Sequence, residues 1–347
     1  MRWSYNLGRS YAAAIWLFGV AALVVLMVIV GGATRLTGSG LSITQWKPIS
    51  GVIPPISARG WAVEFANYRH IPQYRLVNWG ITLGEFKTLF WWEWTHRLLG
   101  RLVGAAILIP MAVLIYTKNI PSRLIWRCGV ILGLVALEGL IGWWMVSSGL
   151  EARISVAPER LATHLALALL IFSVCLWTAL EAWFGRSRAT FSADRRTIIG
   201  SAALIGLTFL QIMMGALVAG NQAGRIDTDW PLMGGRLFPQ NYAQKGASLW
   251  TVIAHSQAAV QFDHRIGGYL LFILAWAFAL ACARTPRMLG RIKQLSLVVA
   301  ALVTLQAVLG ILTVRFAAPL GLSLLHQLGA VAVLSSTIVL AWRIKRN

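Results

Sequence analysis

The chain is 347 residues long, 58% hydrophobic and 12% charged. Soluble globular proteins carry about 25% charged residues, so this chain has too few charges to coat a water-facing surface, which excludes a soluble enzyme. Its net charge of +20 is not gathered into one basic tract interleaved with aromatics, as nucleic-acid binding requires, and nucleic acid is excluded as a partner.

The apolar residues form blocks of about 20, the length that crosses the hydrocarbon core of a bilayer. In chain order they predict eight spans near 12–30, 98–116, 124–146, 162–184, 198–220, 265–283, 295–314 and 321–342. Arg2 and Arg9 precede the first block, a layout shared with secretory signals. Its apolar run of about 19 residues is longer than a secretory h-region of about 7–15, so it reads as a retained span. With the N-terminus inside, the inner segments hold Arg2, Arg9, Lys118, Arg123, Arg127, Arg186, Arg188, Arg195, Arg196, Arg284, Arg287, Arg291, Lys293, Arg343, Lys345 and Arg346; the short outer turns 147–160 and 315–320 hold only Arg153, Arg160 and Arg315. Lys and Arg accumulate on the cytoplasmic side, so both termini are expected there. The outer segments 31–90 and 221–260 are long and rich in Gly, Pro and Trp, and long ordered loops commonly cover a site. Cys128, Cys175 and Cys282 fall in or beside spans with no close pair, so neither a disulfide framework nor a thiolate metal site is expected.

The two halves of the chain repeat one another. Gly32, Gly40 and Trp46 in "GGATRLTGSGLSITQWKP" correspond to Gly215, Gly224 and Trp230 in "GALVAGNQAGRIDTDWP". "EWTHRLLGRL" at 93–102 matches "QFDHRIGGYL" at 261–270, "LEGLIGWWM" at 137–145 matches "LQAVLGILT" at 305–313, and "THLALALLIF" at 163–172 matches "LHQLGAVAVL" at 325–334. The expected architecture is an all-α integral membrane protein, eight transmembrane helices arranged as two duplicated four-helix bundles, with domains over 1–190 and 191–347.

Four of the six histidines occupy repeated places: His96 and His164 in the first half, His264 and His326 in the second. Each lies near the outer end of an even-numbered span. Paired imidazoles facing each other across a four-helix bundle can hold a haem iron from both sides; a zinc or di-iron site would need further ligands. One haem pocket per half is therefore favoured. Arg97 and Arg265 follow the first histidine of each pair, and their planar fork suits a haem propionate, as an alternative to snorkelling at the interface; Arg101 lies one turn beyond Arg97. His70 and His255 have no counterparts and read as loop residues.

The halves differ where chemistry would show. Glu93 stands three residues before His96, on the same helix face, whereas Gln261 holds the equivalent place before His264. Such a carboxylate can act as a base or stabilise a cationic intermediate; the alternative is a charge favoured near a helix N-terminus. Glu138 against Gln306 is a second difference, read as a buried polar contact between helices. Asp263 reads as a cap or salt-bridge partner.

These residues together resemble the haem A synthase family. The resemblance runs through "GGATRLTGSGLSITQWKPISGVIPP", "EWTHRLLGR", "GLIGWWMVSSGL", "HLALAL", "VQFDHRIGGY" and "LLHQLGA", in this order over essentially the whole chain. It implies oxidation of the C8 methyl of haem O to a formyl group by successive hydroxylations, giving haem A for terminal oxidases. It also implies a resident haem b on His264 and His326, a substrate haem O between His96 and His164, and a catalytic Glu93. One branch of the family carries a cysteine pair in the first outer loop; residues 31–90 contain none, which is similar to the proteobacterial and mitochondrial branch. The stretch before the first span leaves no room for an Arg- and Ser-rich transit peptide, which favours a bacterial inner membrane. The partners so implied are haem O, with a haem O synthase as candidate donor, a membrane or soluble redox partner that the residues do not identify, and the lipid bilayer. The rival readings are a two-haem membrane cytochrome that transfers electrons without chemistry on haem, and a transporter with repeated halves, whose site would sit at the midplane on broken helices.

Overall fold

A computed structural model of the chain describes residues 9–185, 194–286 and 288–346; Arg2, Arg186, Arg188 and Arg287 of the charge pattern lie outside the described residues. The described residues hold eight helices long and apolar enough to cross a membrane: α1 (Tyr11–Leu36), α4 (Leu83–Tyr116), α5 (Ser122–Ser147), α6 (Pro158–Phe184), α7 (Arg195–Gly220), α9 (Gln257–Arg284), α10 (Gly290–Arg315) and α11 (Leu320–Arg346). Three shorter helices, α2 (Ala58–Arg69), α3 (Pro72–Leu76) and α8 (Leu249–His255), lie between them. Every long helix is unbroken, as hydrocarbon demands of a backbone that must satisfy its own hydrogen bonds.

The ends follow local chemistry. Ser10, Asp194 and Ser256 accept backbone N–H groups as N-caps of α1, α7 and α9, and Pro158 opens α6, where a missing donor costs nothing. The largest departure from expectation is α4, which begins at Leu83 rather than near 98. Hydropathy fades outward through "GEFKTLFWWEW", but Thr82 and Glu85 form a reciprocal capping box that starts the helix early. The first outer segment therefore runs from the end of α1 at Leu36 to Thr82, shorter than the expected 31–90, and likewise α9 starts at Gln257, inside the expected 221–260.

This first segment builds its own core. Trp61, Phe65 and Tyr68 of α2 and Tyr74 of α3 bury against Phe86 and Phe90 on the outward extension of α4. Phe65 stacks on Phe86 at 4.9 Å and Trp61 meets Phe90 edge-on at 4.9 Å. Six buried aromatics at roughly 1.5–3 kcal/mol each explain why a loop of this length is ordered.

Within the long helices, α1 packs on α4 and α6, and α5 lies against α4 and α6; α7 packs on α9 and α11, and α10 lies against α9 and α11. The sequence halves meet through α6 on α7 and α1 on α11. Small residues permit the close approach of α1 and α6: Ala13, Ala14, Ala179 and Ala182 are fully or almost fully buried. Leu108, Ile109, Leu140, Leu210 and Ile273 stay exposed, an apolar surface that water would not tolerate and lipid does. The protein is a multi-pass membrane protein. Cys128, Cys175 and Cys282 are free and buried.

Candidate haem-binding site

The four repeated histidines come together as two pairs, His96 with His164 and His264 with His326. Their ring centroids lie 6.4 Å and 6.3 Å apart and their planes are inclined at 74° and 90°. With a metal–imidazole bond of about 2 Å on each side and roughly 1 Å from nitrogen to ring centre, two axial rings on one metal stand roughly 6 Å apart. Both separations suit one iron per pair. Among the described residues no group of three or more His, Cys, Asp or Glu could hold a metal ion; a haem needs only two axial donors.

Each ring lies against a glycine of a neighbouring helix: His96 on Gly31 of α1, His164 on Gly142 of α5, His264 on Gly215 of α7 and His326 on Gly310 of α10. A Cβ at these glycines would stand 2.9–3.1 Å from the nearest ring atom, so tight that the ring would have to give way. The partner of Gly215 in the repeat is therefore Gly31, one residue from the expected Gly32, which instead faces Gln327.

One helical turn before each glycine stand Met27, Glu138, Gln211 and Gln306, of which the last three face the Nδ1 atom of their ring. In the second half both are amides. Gln211 Nε2 donates to His264 Nδ1 at 3.1 Å and to the His264 carbonyl at 2.8 Å; Gln306 Nε2 makes the same pair of contacts with His326 at 3.0 and 2.7 Å. The amide oxygens Gln211 Oε1 and Gln306 Oε1 are buried without a partner. An amide turned so that this oxygen meets an Nδ1–H gives up its bond to the histidine carbonyl and leaves Nε2 as the metal-binding lone pair, so the donor set can serve a bis-imidazole haem. In the first half Glu138 Oε1 lies 3.0 Å from His164 Nδ1, in an approach short of a well-aligned hydrogen bond, and Met27 holds the place of Gln211 in the repeat, with its Cε against Gly100 one turn beyond His96. Glu138 is thus a direct neighbour of a candidate ligand, more than the helix-packing contact expected of it.

Around the first pair, Glu93 is 2% exposed and fully engaged. Its Oε2 accepts from the Ser42 hydroxyl and the Ile43 N–H, both at 2.8 Å, and its Oε1 accepts from Arg97 Nη2 at 2.6 Å and Nε at 3.0 Å. It sits in the third turn of α4, where the helix dipole no longer acts; the first-turn acid is Glu85. Arg97 also donates to the carbonyls of Ile43 and Gln45. The second half repeats this clamp: Arg265 donates to the carbonyls of Asp227, Asp229 and Leu232, and Gln261 Nε2 donates to the Ile226 carbonyl at 2.9 Å. Ile43 and Gln45 are the repeat equivalents of Asp227 and Asp229, so in each half the same two side chains tie the first outer turn to the histidine-bearing helix. Arg101 adds bonds to the carbonyls of Lys47 and Pro48.

The outer turns are braced separately. Backbone N–H groups, Gly235 first and then Gly234, hold the Asp229 carboxyl below the usual carboxylate range. Asp263 accepts from the Tyr242 hydroxyl at 3.0 Å, neither a cap nor a salt bridge as expected. His70 is the exposed C-cap of α2, and His255 Nε2 lies 3.6 Å from Glu159 across the halves; neither joins a histidine pair. A cavity of about 520 Å³ opens beside Arg97, Arg101 and Trp94 of the first half, and one of about 300 Å³ beside Arg265, Trp230 and Tyr269 of the second.

Comparison with known proteins covers nearly all of the chain. The COX15-CtaA family model, described as cytochrome oxidase assembly protein, matches residues 14–338. A protein named heme A synthase from Caulobacter vibrioides is 53% identical over 338 residues, 97% of this chain and 97% of that protein. A second heme A synthase, from Caulobacter sp. strain K31, has the same identity and coverage. One from Rhodopseudomonas palustris strain BisA53 is 47% identical over 326 residues, 93% of this chain and 88% of that protein.

Proposed function

This chain belongs to the COX15-CtaA family of cytochrome oxidase assembly proteins, and from that premise we propose that it is a haem A synthase, a membrane oxidoreductase that converts the C8 methyl of haem O to the formyl group of haem A for terminal oxidases. The observation that carries the reading is the pairing of two like histidine sites with one unlike neighbour: an acid, Glu93, beside the first pair and an amide, Gln261, at the same place beside the second. A cytochrome with two structural haems has no use for that difference, and the relatives matched over their whole length give the cytochrome reading no support.

In this reading residues 1–190 form the substrate half and 191–347 the resident half. Haem O enters between His96 and His164; haem b is held by His264 and His326. The resident haem, when bound, supplies a one-electron redox centre. Gln211 and Gln306 orient the two imidazoles that hold it. In this reading each of two hydroxylations takes two electrons and two protons away and adds one oxygen from water to the methyl carbon, the electrons passing to the redox partner, and the gem-diol loses water to leave the aldehyde. Glu93 is the catalytic acid. Because Ser42, Ile43 and Arg97 occupy both of its oxygens, its contribution is best met by a fixed charge that stabilises cationic character at the substrate, with proton transfer requiring one of those bonds to open. Arg97 spends four of its five N–H donors on Glu93 and the outer turn; the fifth, and the unpartnered Nε of Arg265, remain for propionates. The basic inner segments support cytoplasmic termini in a bacterial inner membrane, with haem O arriving from a haem O synthase and electrons leaving to a membrane or soluble redox partner.

Extraction and chromatography of the haems bound to the purified protein test the reading. Haem O or its hydroxylated and formyl derivatives beside haem B are expected; haem B alone, filling both sites, would return the cytochrome.

A further inference from the structure

Four histidines, four glycines and the four residues one turn before them form a set that the repeat makes directly comparable. The resident pair is symmetric, with an amide at both Nδ1 positions, Gln211 and Gln306. The substrate pair is not. As a carboxylate Glu138 can only accept; its Oε1 lies 3.0 Å from His164 Nδ1 without an aligned bond, and bringing the two into line selects the tautomer with Nδ1–H and leaves Nε2 as the lone pair. Met27, with a thioether, offers His96 no partner of comparable strength, and no hydrogen bond to the His96 ring forms among the described residues.

The rings record this difference. At Gly142, Gly215 and Gly310 the nearest ring atom of His164, His264 and His326 is Cε1, at 2.9–3.1 Å from where a Cβ would stand. At Gly31 the nearest atom of His96 is Nε2, at 2.9 Å, with Cδ2 next at 3.4 Å. A half-turn about the Cβ–Cγ bond exchanges Nε2 with Cε1 and Nδ1 with Cδ2, so His96 stands half a turn from the other three, with its Nε2 against the glycine. Nothing on α1 holds the ring in either position.

We propose that the substrate site is built from one committed and one releasable imidazole: Glu138 is a positioning residue that fixes His164 as the retained ligand of haem O, and His96, whose ring makes no hydrogen bond among the described residues, is the ligand that turns in and lets go as substrate enters and product leaves. This rests on the proposed function and adds to it a division of labour within the first pair. A symmetric, amide-backed pair keeps its haem through turnover, whereas an exchanging haem needs a coordination bond that opens without loss of the other.

The test uses the full-length protein purified with haem O supplied, scored by haem extraction, ferric spin state and the rate of carbon monoxide binding to the ferrous form. His96→Ala is expected to keep haem O as a five-coordinate, high-spin species, and His164→Ala to lose it by about tenfold or more. Met27→Gln, which installs the amide found at Gln211, is expected to slow both carbon monoxide binding and haem O release by about tenfold. Glu138→Leu is expected to behave as His164→Ala, and Glu138→Gln to restore occupancy, with haem B in the second site unchanged and reporting that each variant is folded. Equal loss of haem O in His96→Ala and His164→Ala, or Met27→Gln with unaltered carbon monoxide and release rates, would overturn the inference while leaving the proposed function intact. Haem B in both sites of the wild-type protein, with no haem O, would overturn the function itself and the inference with it.

Discussion

The two halves of the protein place the same side chains at the same points of a repeated plan, and they differ where those side chains meet the histidines. Gln211, Gln261 and Gln306 surround the second pair with neutral amides; Met27, Glu93 and Glu138 hold the equivalent places around the first. An amide can donate or accept and leaves no charge in a low-dielectric interior, which suits a site whose occupant stays. Carboxylates commit their neighbours and bring charge, at a desolvation cost that an electrostatically active site repays. The outer turns diverge in the same sense: the first carries an aromatic core on the extended α4, and the second is braced by short turns and backbone bonds to Asp229.

This contrast can be broken experimentally. The largest effect is expected from His326→Ala or His264→Ala, which should remove haem B from the purified protein and take haem A formation below detection while haem O remains extractable; haem B retained at wild-type stoichiometry would reassign the resident site. Glu93→Gln should lower haem A formation by about a hundred- to ten-thousandfold with both haem sites filled, because Gln261 shows that an amide can sit at this point of the plan and still bond the outer turn. Activity close to wild type would reduce Glu93 to a brace. Gln306→Leu should weaken resident haem binding by about 10–100-fold, seen as haem B lost on dilution, without altering the first site. Trp61→Ala should loosen only the first outer segment, by about 3–5 kcal/mol, read as proteolysis within residues 37–82 while the haem B spectrum is preserved. The smallest effect concerns Asp229. Its carboxyl is held below the usual range, so its brace is fully present above the ordinary carboxylate pKa and is lost as pH falls through the lowered value. Hydrogen exchange at Gly234 and Gly235 should therefore accelerate on acidification in the wild type and be fast at all pH values in Asp229→Asn.

Much of the site was legible in one dimension because the repeat carries it. The histidines could be paired by their spacing, and Glu93 stood out against Gln261. The ends of the spans were less legible: α4 starts at Leu83 because of a capping box and an aromatic core, neither of which raises hydropathy. Glu138 was visible as a difference from Gln306 but not as a neighbour of His164, since the two lie on different helices. Met27 and Gln211 carried no signal at all. A thioether and an amide on apolar helices acquire meaning only when Gly31 and Gly215 bring the helices close enough for the histidines to lie against them. Arg97 and Arg265 read as propionate partners or snorkelling side chains, and the structure gives them a further task that spacing did not show: Arg97 divides four donors between Glu93 and the carbonyls of Ile43 and Gln45, and Arg265 makes three bonds to the carbonyls of its outer turn.

The sequence by itself determined that the protein lives in a membrane, crosses it eight times and carries two copies of one histidine pattern, because apolar length and repetition are properties of the chain read linearly. Only the tertiary structure decided which atoms face each imidazole and how far apart the paired rings stand. Those depend on the rotation and separation of helices far apart in the chain, set by small residues at their crossings, and a shift of a single residue, as between Gly31 and Gly32, exchanges one neighbour for another.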